Sequence, residues 1–149
     1  MELRWYQQEA IDAIRAYSGR AGVVNLPTGA GKSIVIAQAV ADTLSCGGRV
    51  LNAIHNGDLV RQNGVAIERL IGQPVGVVSA SVGRKDWERR AVVCSVGSAF
   101  RHAANAGRFD RVIIDECHLV SSEARTMYGQ LLDGIRATNP DVQLIGLSA

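Results

Sequence analysis

Cysteine is scarce in this 149-residue chain, with three residues at Cys46, Cys94 and Cys117. An odd number, widely spaced and without a CxxC pair, excludes a disulfide framework and a zinc-site spacing. Reduced thiols and a cytoplasmic location are the simple reading, with Cys117 taken as a packing residue rather than a reactive thiol. A surplus of charge is also missing. The net charge of +2 provides no basic surface that would argue for nucleic acid from composition, so any such partner must be read from motifs. No apolar run approaches the roughly 20 residues of a membrane span, and Met1-Glu2-Leu3-Arg4-Trp5 lacks a signal-peptide pattern, so no membrane partner is expected. Repeats and low-complexity segments are absent. What remains, 47% hydrophobic and 20% charged, is a chain of one-domain size with enough apolar material for a full core.

The hydrophobic pattern alternates between helical and strand periods. Leu3, Tyr6, Ala10, Ala13, Ile14 and Tyr17 recur at helical spacing, and Ser18-Gly19-Arg20 ends that helix. Val23-Val24 opens a buried strand, and Ile34 to Leu44 is a helix of small residues stopped by Cys46-Gly47-Gly48. Arg49 to Ile54 predicts a strand. Asp58 is placed to cap a helix from Leu59 to Ile71, which Gly72-Gln73-Pro74 terminates. Val75 to Val78 and Ala91 to Ser95 read as strands around a polar loop or hairpin edge from Ser79 to Arg90. Ser98 to Ala106 reads as a helix, Arg111 to Asp115 as a strand, Glu123 to Ala137 as a helix and Val142 to Leu147 as a last strand. Strands separated by helices predict an α/β fold, three layers thick, with a mostly parallel central sheet. Ligands in such sheets lie beyond the carboxyl ends of the strands.

Two elements fall at such ends. Leu26-Pro27-Thr28-Gly29-Ala30-Gly31-Lys32-Ser33 joins the first strand to the second helix. A glycine-rich turn there aims backbone N–H groups at one spot, to which the helix adds its positive end. Lys32 brings a cation and Ser33 a hydroxyl able to ligate Mg²⁺, which makes a cradle for nucleotide phosphates. The first glycine of the general GxxxxGK[ST] pattern would fall at position 26, where this chain has Leu. Far downstream, Asp115-Glu116 ends an apolar strand. Asp115 would reach the same Mg²⁺, and Glu116 is placed to orient or deprotonate an attacking water. Together the two elements read as an ATP-hydrolysing site, against the plainer readings of a structural turn and a solvated acidic pair.

Other candidates carry less. His118 follows Glu116 too closely for a helix-borne HExxH zinc site and is read as linking hydrolysis to another surface. His55 and His102 are single histidines with surface or packing roles. Arg84, Lys85, Arg89 and Arg90 surround Trp87 and could bind a phosphate backbone and stack a base, but Asp86 and Glu88 dilute the cluster. A solvated charged loop is the leading reading there.

In sum these residues resemble the superfamily 2 helicases and translocases of the DExH type, related to type III restriction subunits and excision-repair helicases. The resemblance covers essentially the whole chain and the first of the family's two RecA-like P-loop NTPase domains. Leu3-Arg4-Trp5-Tyr6-Gln7 resembles the opening segment, which implies an adenine contact for Gln7. Pro27 to Ser33 resembles motif I, whose relatives tolerate an apolar residue where Leu26 stands. Asp115-Glu116-Cys117-His118 resembles motif II. Gly146-Leu147-Ser148-Ala149 resembles motif III, ending before the threonine usually found there, and implies a coupling role for Ser148.

The strand-contact motifs depart further from the family. In the segment from Ala53 to Asn63, His55, Leu59 and Gln62 keep the register of a Thr-His-x-x-x-Leu-x-x-Gln pattern, but Ile54 replaces the threonine and Gly57 brings flexibility. Ser95-Val96-Gly97-Ser98 resembles a Thr-x-Gln-Ser contact motif with Ser95 for Thr and Gly97 for Gln. The resemblance implies the ATP-binding half, residues 1–149, of a nucleic-acid-dependent ATPase. DNA is favoured over RNA as partner, ATP and Mg²⁺ are the cofactors, and the chain is cut at motif III. A second RecA-like domain, absent here, would supply arginines whose loss costs about 10³–10⁵ in rate in other phosphoryl-transfer enzymes, so the fragment is expected to be nearly inactive. An RNA helicase, a nucleotide-responsive scaffold and a metabolic P-loop kinase are the alternatives.

Overall fold

A computed structural model describes residues 2–27, 29–117 and 122–149, with the backbone alone over 122–125. Its elements run α1 (Trp5–Ala16), β1 (Ala21–Asn25), α2 (Lys32–Ser45), β2 (Val50–Ile54), α3 (Asp58–Ile71), β3 (Gly76–Ser79), β4 (Arg84–Lys85) and β5 (Ala91–Ser95). A four-residue helix α4 (Val96–Ala99), a 3₁₀ turn (Ala103–Asn105), β6 (Arg111–Asp115), α5 (Ser122–Thr138) and β7 (Gln143–Ser148) complete the chain. The strands form one seven-stranded sheet in the order β1-β7-β6-β2-β5-β3-β4. Every pairing is parallel except β3 with β4. The expected α/β architecture with its mostly parallel sheet is therefore present.

The layers follow from side-chain alternation. In β2, Val50 and Ile54 enter one core with Ile11 and Ile14 of α1, Val35, Ile36 and Val40 of α2 and Ile67 of α3. Leu51 and Ala53 enter the opposite core, with Phe109, Val112 and, from α5, Tyr128, Leu131 and Ile135. Helices on both faces leave β2 and β5 buried along their whole length, so their sequences are continuous apolar runs rather than alternating ones. None of the described helices is long and apolar enough to cross a membrane.

Three local expectations need correction. The strand opened by Val23-Val24 is not buried: β1 is an edge strand, and Val23 is 63% exposed. The helix read over Ser98 to Ala106 is instead the single turn α4 followed by the 3₁₀ turn. Its alanines go into the second core, where Ala99 and Ala103 are buried, and Gly134 of α5 packs so close that a Cβ there would meet Ala103 Cβ at 2.9 Å. Close approach of α5 sets that backbone, against the periodicity of the segment. Asp58 is not a cap but the first residue of α3, and its N–H is taken by Asn56 Oδ1 at 3.0 Å.

Candidate nucleotide and strand-contact site

The loop after β1 is held from three sides. Leu26, standing where the general pattern has glycine, is a core residue at 3% exposure, and its N–H donates to Ser148 O of β7 at 2.8 Å. An apolar side chain at this position anchors the loop instead of freeing it. The N–H of Ala30 closes a turn on Pro27 O. Gly29 and Gly31 then take φ of 77° and 75°, in the left-handed region that costs other L-residues about 1–2 kcal/mol. At Gly31 a side chain is excluded twice over, since a Cβ would also lie 2.6 Å from Gln7 Nε2. Lys32 and Ser33 begin α2 directly after this glycine, where a helix leaves its first N–H groups without intrahelical partners.

Gln7 is buried beneath the loop at 3% exposure. Its Nε2 donates to Ala30 O at 2.7 Å and its Oε1 accepts the Arg4 N–H at 2.9 Å. The amide therefore joins the start of α1 to the glycine-rich loop. Trp5 beside it is 76% exposed and meets Tyr6 edge-to-face. The sequence reading assigns it no role, and a tryptophan breaking the outward polar face of α1 is the signal it offers.

The acidic pair arrives on β6, one strand away from β1 across β7. Asp115 is buried at 5%. Burial pushes its pKa up; the hydrogen bond from Asn63 opposes this, the neighbouring Glu116 charge adds to it, and Lys32 and the Glu116 backbone N–H each offset part. Asp115 Oδ1 has no hydrogen-bond partner among the described residues. Glu116 has a φ of 50°, the one positive value outside glycine among the described residues, a conformation that persists only where surrounding structure enforces it. Lys32 Nζ donates to Glu116 Oε1 across 84 positions of sequence. Cys117 follows with its thiol pKa raised by burial, and Gly146 of β7 lies so close that a Cβ there would be 3.2 Å from Cys117 Sγ. The thiol thus packs closely against β7. Thr28 and His118 lie outside the described residues.

Ser33 lines a cleft of about 480 Å³ with Leu3 ahead of α1, Ile34, Ala37 and Gln38 of α2 and Ala66, Arg69 and Leu70 of α3. Two residues without an assigned role in the sequence reading also join the site. Asn52 and Asn63 are buried, and Asn63 Nδ2 lies 3.1 Å from Asn52 Oδ1 and 3.3 Å from Asp115 Oδ2. An asparagine in the middle of the apolar run Val50 to Ile54 was the available signal.

Along the same sheet edge, the segments resembling strand-contact motifs come together. Ser95 Oγ donates to Ser98 Oγ at 2.9 Å, and Ser98 Oγ accepts the Ala80 N–H at 3.0 Å. Gly57 has an ordinary helical φ of −58°, so flexibility is not what its glycine supplies. A Cβ there would lie 3.1 Å from Ser81 Oγ and 3.8 Å from Ser95 Cβ. Close packing of the loop before α3 against β3 and β5 explains it.

The basic cluster is split by the sheet. Arg84 pairs with Ser79 and Lys85 with Val78 at the carboxyl end of β3, and both line a cleft with Gly97, Ser98 and His102. Arg90 donates to Leu44 O and Gly48 O at the opposite edge. Trp87 packs against Phe109 instead of standing free to stack a base.

With this geometry in place, similarity to known proteins becomes informative. The whole chain, residues 1–149, matches the family profile described as type III restriction enzyme, res subunit. The chain belongs to that family. It is 31% identical over 132 residues to the DNA 3′-5′ translocase XPB2 of Sulfurisphaera tokodaii, which covers 88% of this chain and 28% of that protein. The UvsW helicase from bacteriophage T4 shares its fold with a TM-score of 0.79 at 20% identity, over 99% of this chain and 52% of that one. So does a nuclease-deletion mutant of the type ISP restriction-modification enzyme LlaGI, solved with a DNA substrate mimic, with a TM-score of 0.71 at 14% identity over 17% of its length. The chain thus spans just over a quarter of the curated relative and about half of the first structural one. It is a RecA-like domain of the superfamily 2 helicase type.

Proposed function

We propose that the chain is the ATP-binding half of a DNA-dependent ATPase that unwinds or translocates on its substrate, with a second RecA-like domain completing the site. The observation that carries the reading is the contact of Lys32 with Glu116 at the head of α2, since it brings the phosphate loop and the acidic pair to one point. In this reading the loop of Pro27, Thr28, Gly29, Ala30 and Gly31 cradles the phosphates, and Lys32 leaves Glu116 to neutralise them. Glu116 is then freed to orient the attacking water, and His118 carries the consequence to a neighbouring surface. The Gln7 amide has a second N–H and a second acceptor site beyond those in use, the pair of functions an adenine edge requires.

Ser33 and Asp115 are the proposed Mg²⁺ ligands. The donor set fits: Asp115 Oδ1 is a buried carboxylate oxygen left unsatisfied among the described residues. Mg²⁺ binds through one or two protein groups plus substrate phosphates and water. When bound, the ion supplies charge stabilisation to the phosphates; holding it and the water in place is the task of these side chains.

DNA is preferred to RNA because the relative that matches most of the chain is named a DNA translocase. Arg84 and Lys85, beside Ser98 and Gly97, are the phosphate-backbone contacts we assign to this edge. The test is ATP turnover by the natural full-length protein at fixed salt, alone and with single-stranded DNA, duplex DNA or single-stranded RNA. Stimulation by DNA supports the motor reading, preferential stimulation by RNA moves the substrate assignment, and no stimulation by any of them overturns the motor reading.

A further inference from the structure

The amides of Asn52 and Asn63 are buried at 1% and 4% exposure, in places where asparagine is costly. Asn52 interrupts a central parallel strand and Asn63 sits within α3, where its helix propensity is poor. A buried amide without partners would cost further. Their hydrogen bonds form a circuit that starts and ends on β6. Asn52 Nδ2 donates to Ile113 O at 3.1 Å. Asn52 Oδ1 accepts from Asn63 Nδ2 at 3.1 Å, and the same Nδ2 donates to Asp115 Oδ2 at 3.3 Å. Both N–H bonds of Asn63 are consumed, one on each acceptor.

The consequence is asymmetry in the Asp115 carboxylate. Oδ2 is held by a donor from α3, whereas Oδ1 is buried with no partner among the described residues. A carboxylate with one oxygen tethered cannot rotate freely, so the bare oxygen keeps one direction. Asn52 in turn fixes the Asn63 amide in the orientation that presents its N–H bonds. A leucine at position 63 would fill similar space but donate nothing. An aspartate there would place a second acceptor against Oδ2.

We propose that Asn63, oriented by Asn52, is a positioning residue that holds the Asp115 carboxylate with Oδ1 open to a divalent cation, so that α3 tunes the metal affinity of a site carried by β6. This rests on the reading of Asp115 as a metal-side carboxylate. Groups that orient a metal-ligating carboxylate typically alter metal affinity by about 10–100-fold when removed.

The test uses the natural full-length protein and a fluorescent ATP analogue, titrated with Mg²⁺ and separately in EDTA, with thermal melting in parallel. Asn63→Leu is expected to raise the Mg²⁺ concentration at half-maximal binding about tenfold while leaving affinity in EDTA within about twofold. Asn63→Ser, too short to reach both acceptors yet polar enough to tolerate water in the gap, should shift it in the same direction and decides the matter if the leucine variant does not fold. Asp115→Asn serves as the reference. If Asp115→Asn moves the Mg²⁺ midpoint and neither Asn63 variant does, the amides only satisfy each other and the proposal fails. If Asp115→Asn itself leaves the midpoint in place, the assignment of Asp115 to the metal fails first and takes the proposal with it. A general loss of packing would instead lower binding in EDTA and in Mg²⁺ alike.

Discussion

The two edges of the sheet treat charge in opposite ways. At the amino edge, Arg49 donates to the carbonyl oxygens of Arg89, Trp87 and Ala106, while its guanidinium lies 4.0 Å from the centre of the Phe109 ring. The Arg49 N–H is bonded to Asp110 Oδ2. The partners of the guanidinium are backbone carbonyls and a packed ring, and none can leave without disrupting that edge. At the carboxyl edge Lys32 Nζ donates to the Glu116 carboxylate, carried on a backbone with positive φ, and its charge also acts on Asp115. A cation tied to fixed carbonyls is a structural fastener. A cation facing side-chain acids can exchange them for a phosphate.

That contrast can be broken at either edge. The largest effect is expected from Glu116→Gln in the full-length protein, where turnover should fall by about 10²–10⁴-fold, the usual worth of a positioned acid–base group. The same variant removes the partner with which phosphate competes, so ATP should bind at least as tightly as before. Steady-state turnover and equilibrium binding measured together check this, and retained turnover would remove the catalytic role. Next is Lys32→Ala, for which triphosphate affinity should fall about 100-fold, the equivalent of about 2.7 kcal/mol, with the melting temperature little changed. Unchanged affinity would refute the phosphate assignment.

Arg49→Ala should do the reverse. Losing its hydrogen bonds and ring contact is expected to cost about 3 kcal/mol of stability, read as a fall of roughly 10 °C in melting temperature, with ATP affinity per folded molecule unaltered. The smallest effect sharpens the comparison through pH. Burial raises the Asp115 pKa in the folded chain, so the folded state holds its proton to higher pH than the unfolded state does. Stability therefore falls as pH rises from the unfolded to the folded pKa, and ionised Asp115 is a burden above that range. Asp115→Asn should melt higher than the parent at neutral pH, and the gap should close below the ordinary aspartate pKa. A gap that widened in acid would reverse the sign assigned to burial.

Much of the carboxyl edge was legible in the residues themselves. The run from Pro27 to Ser33 has glycines where φ turns positive, and Asp115 follows an apolar run that becomes β6. Those features depend on local chemistry, which sequence carries directly. Less legible was anything decided by what packs opposite. The reading of a helix from Ser98 to Ala106 followed its spacing and missed the close approach of α5. The basic residues from Arg84 to Arg90 are neighbours in sequence, yet the chain runs between the two edges of the sheet as it passes them. Gly57 offered no reason for itself until Ser81 and Ser95 stood beside it.

From sequence alone came the α/β alternation, the glycine-rich loop, the acidic strand end and the family resemblance, because each is written in a short stretch with a characteristic period or backbone demand. Tertiary structure decided the order of the strands, with β7 between the loop and the acids. It also set the Lys32–Glu116 contact and the amide circuit that holds one oxygen of Asp115 while the other has no hydrogen-bond partner among the described residues. Those depend on distances between groups far apart along the chain, which burial of two apolar cores fixes and no local pattern encodes.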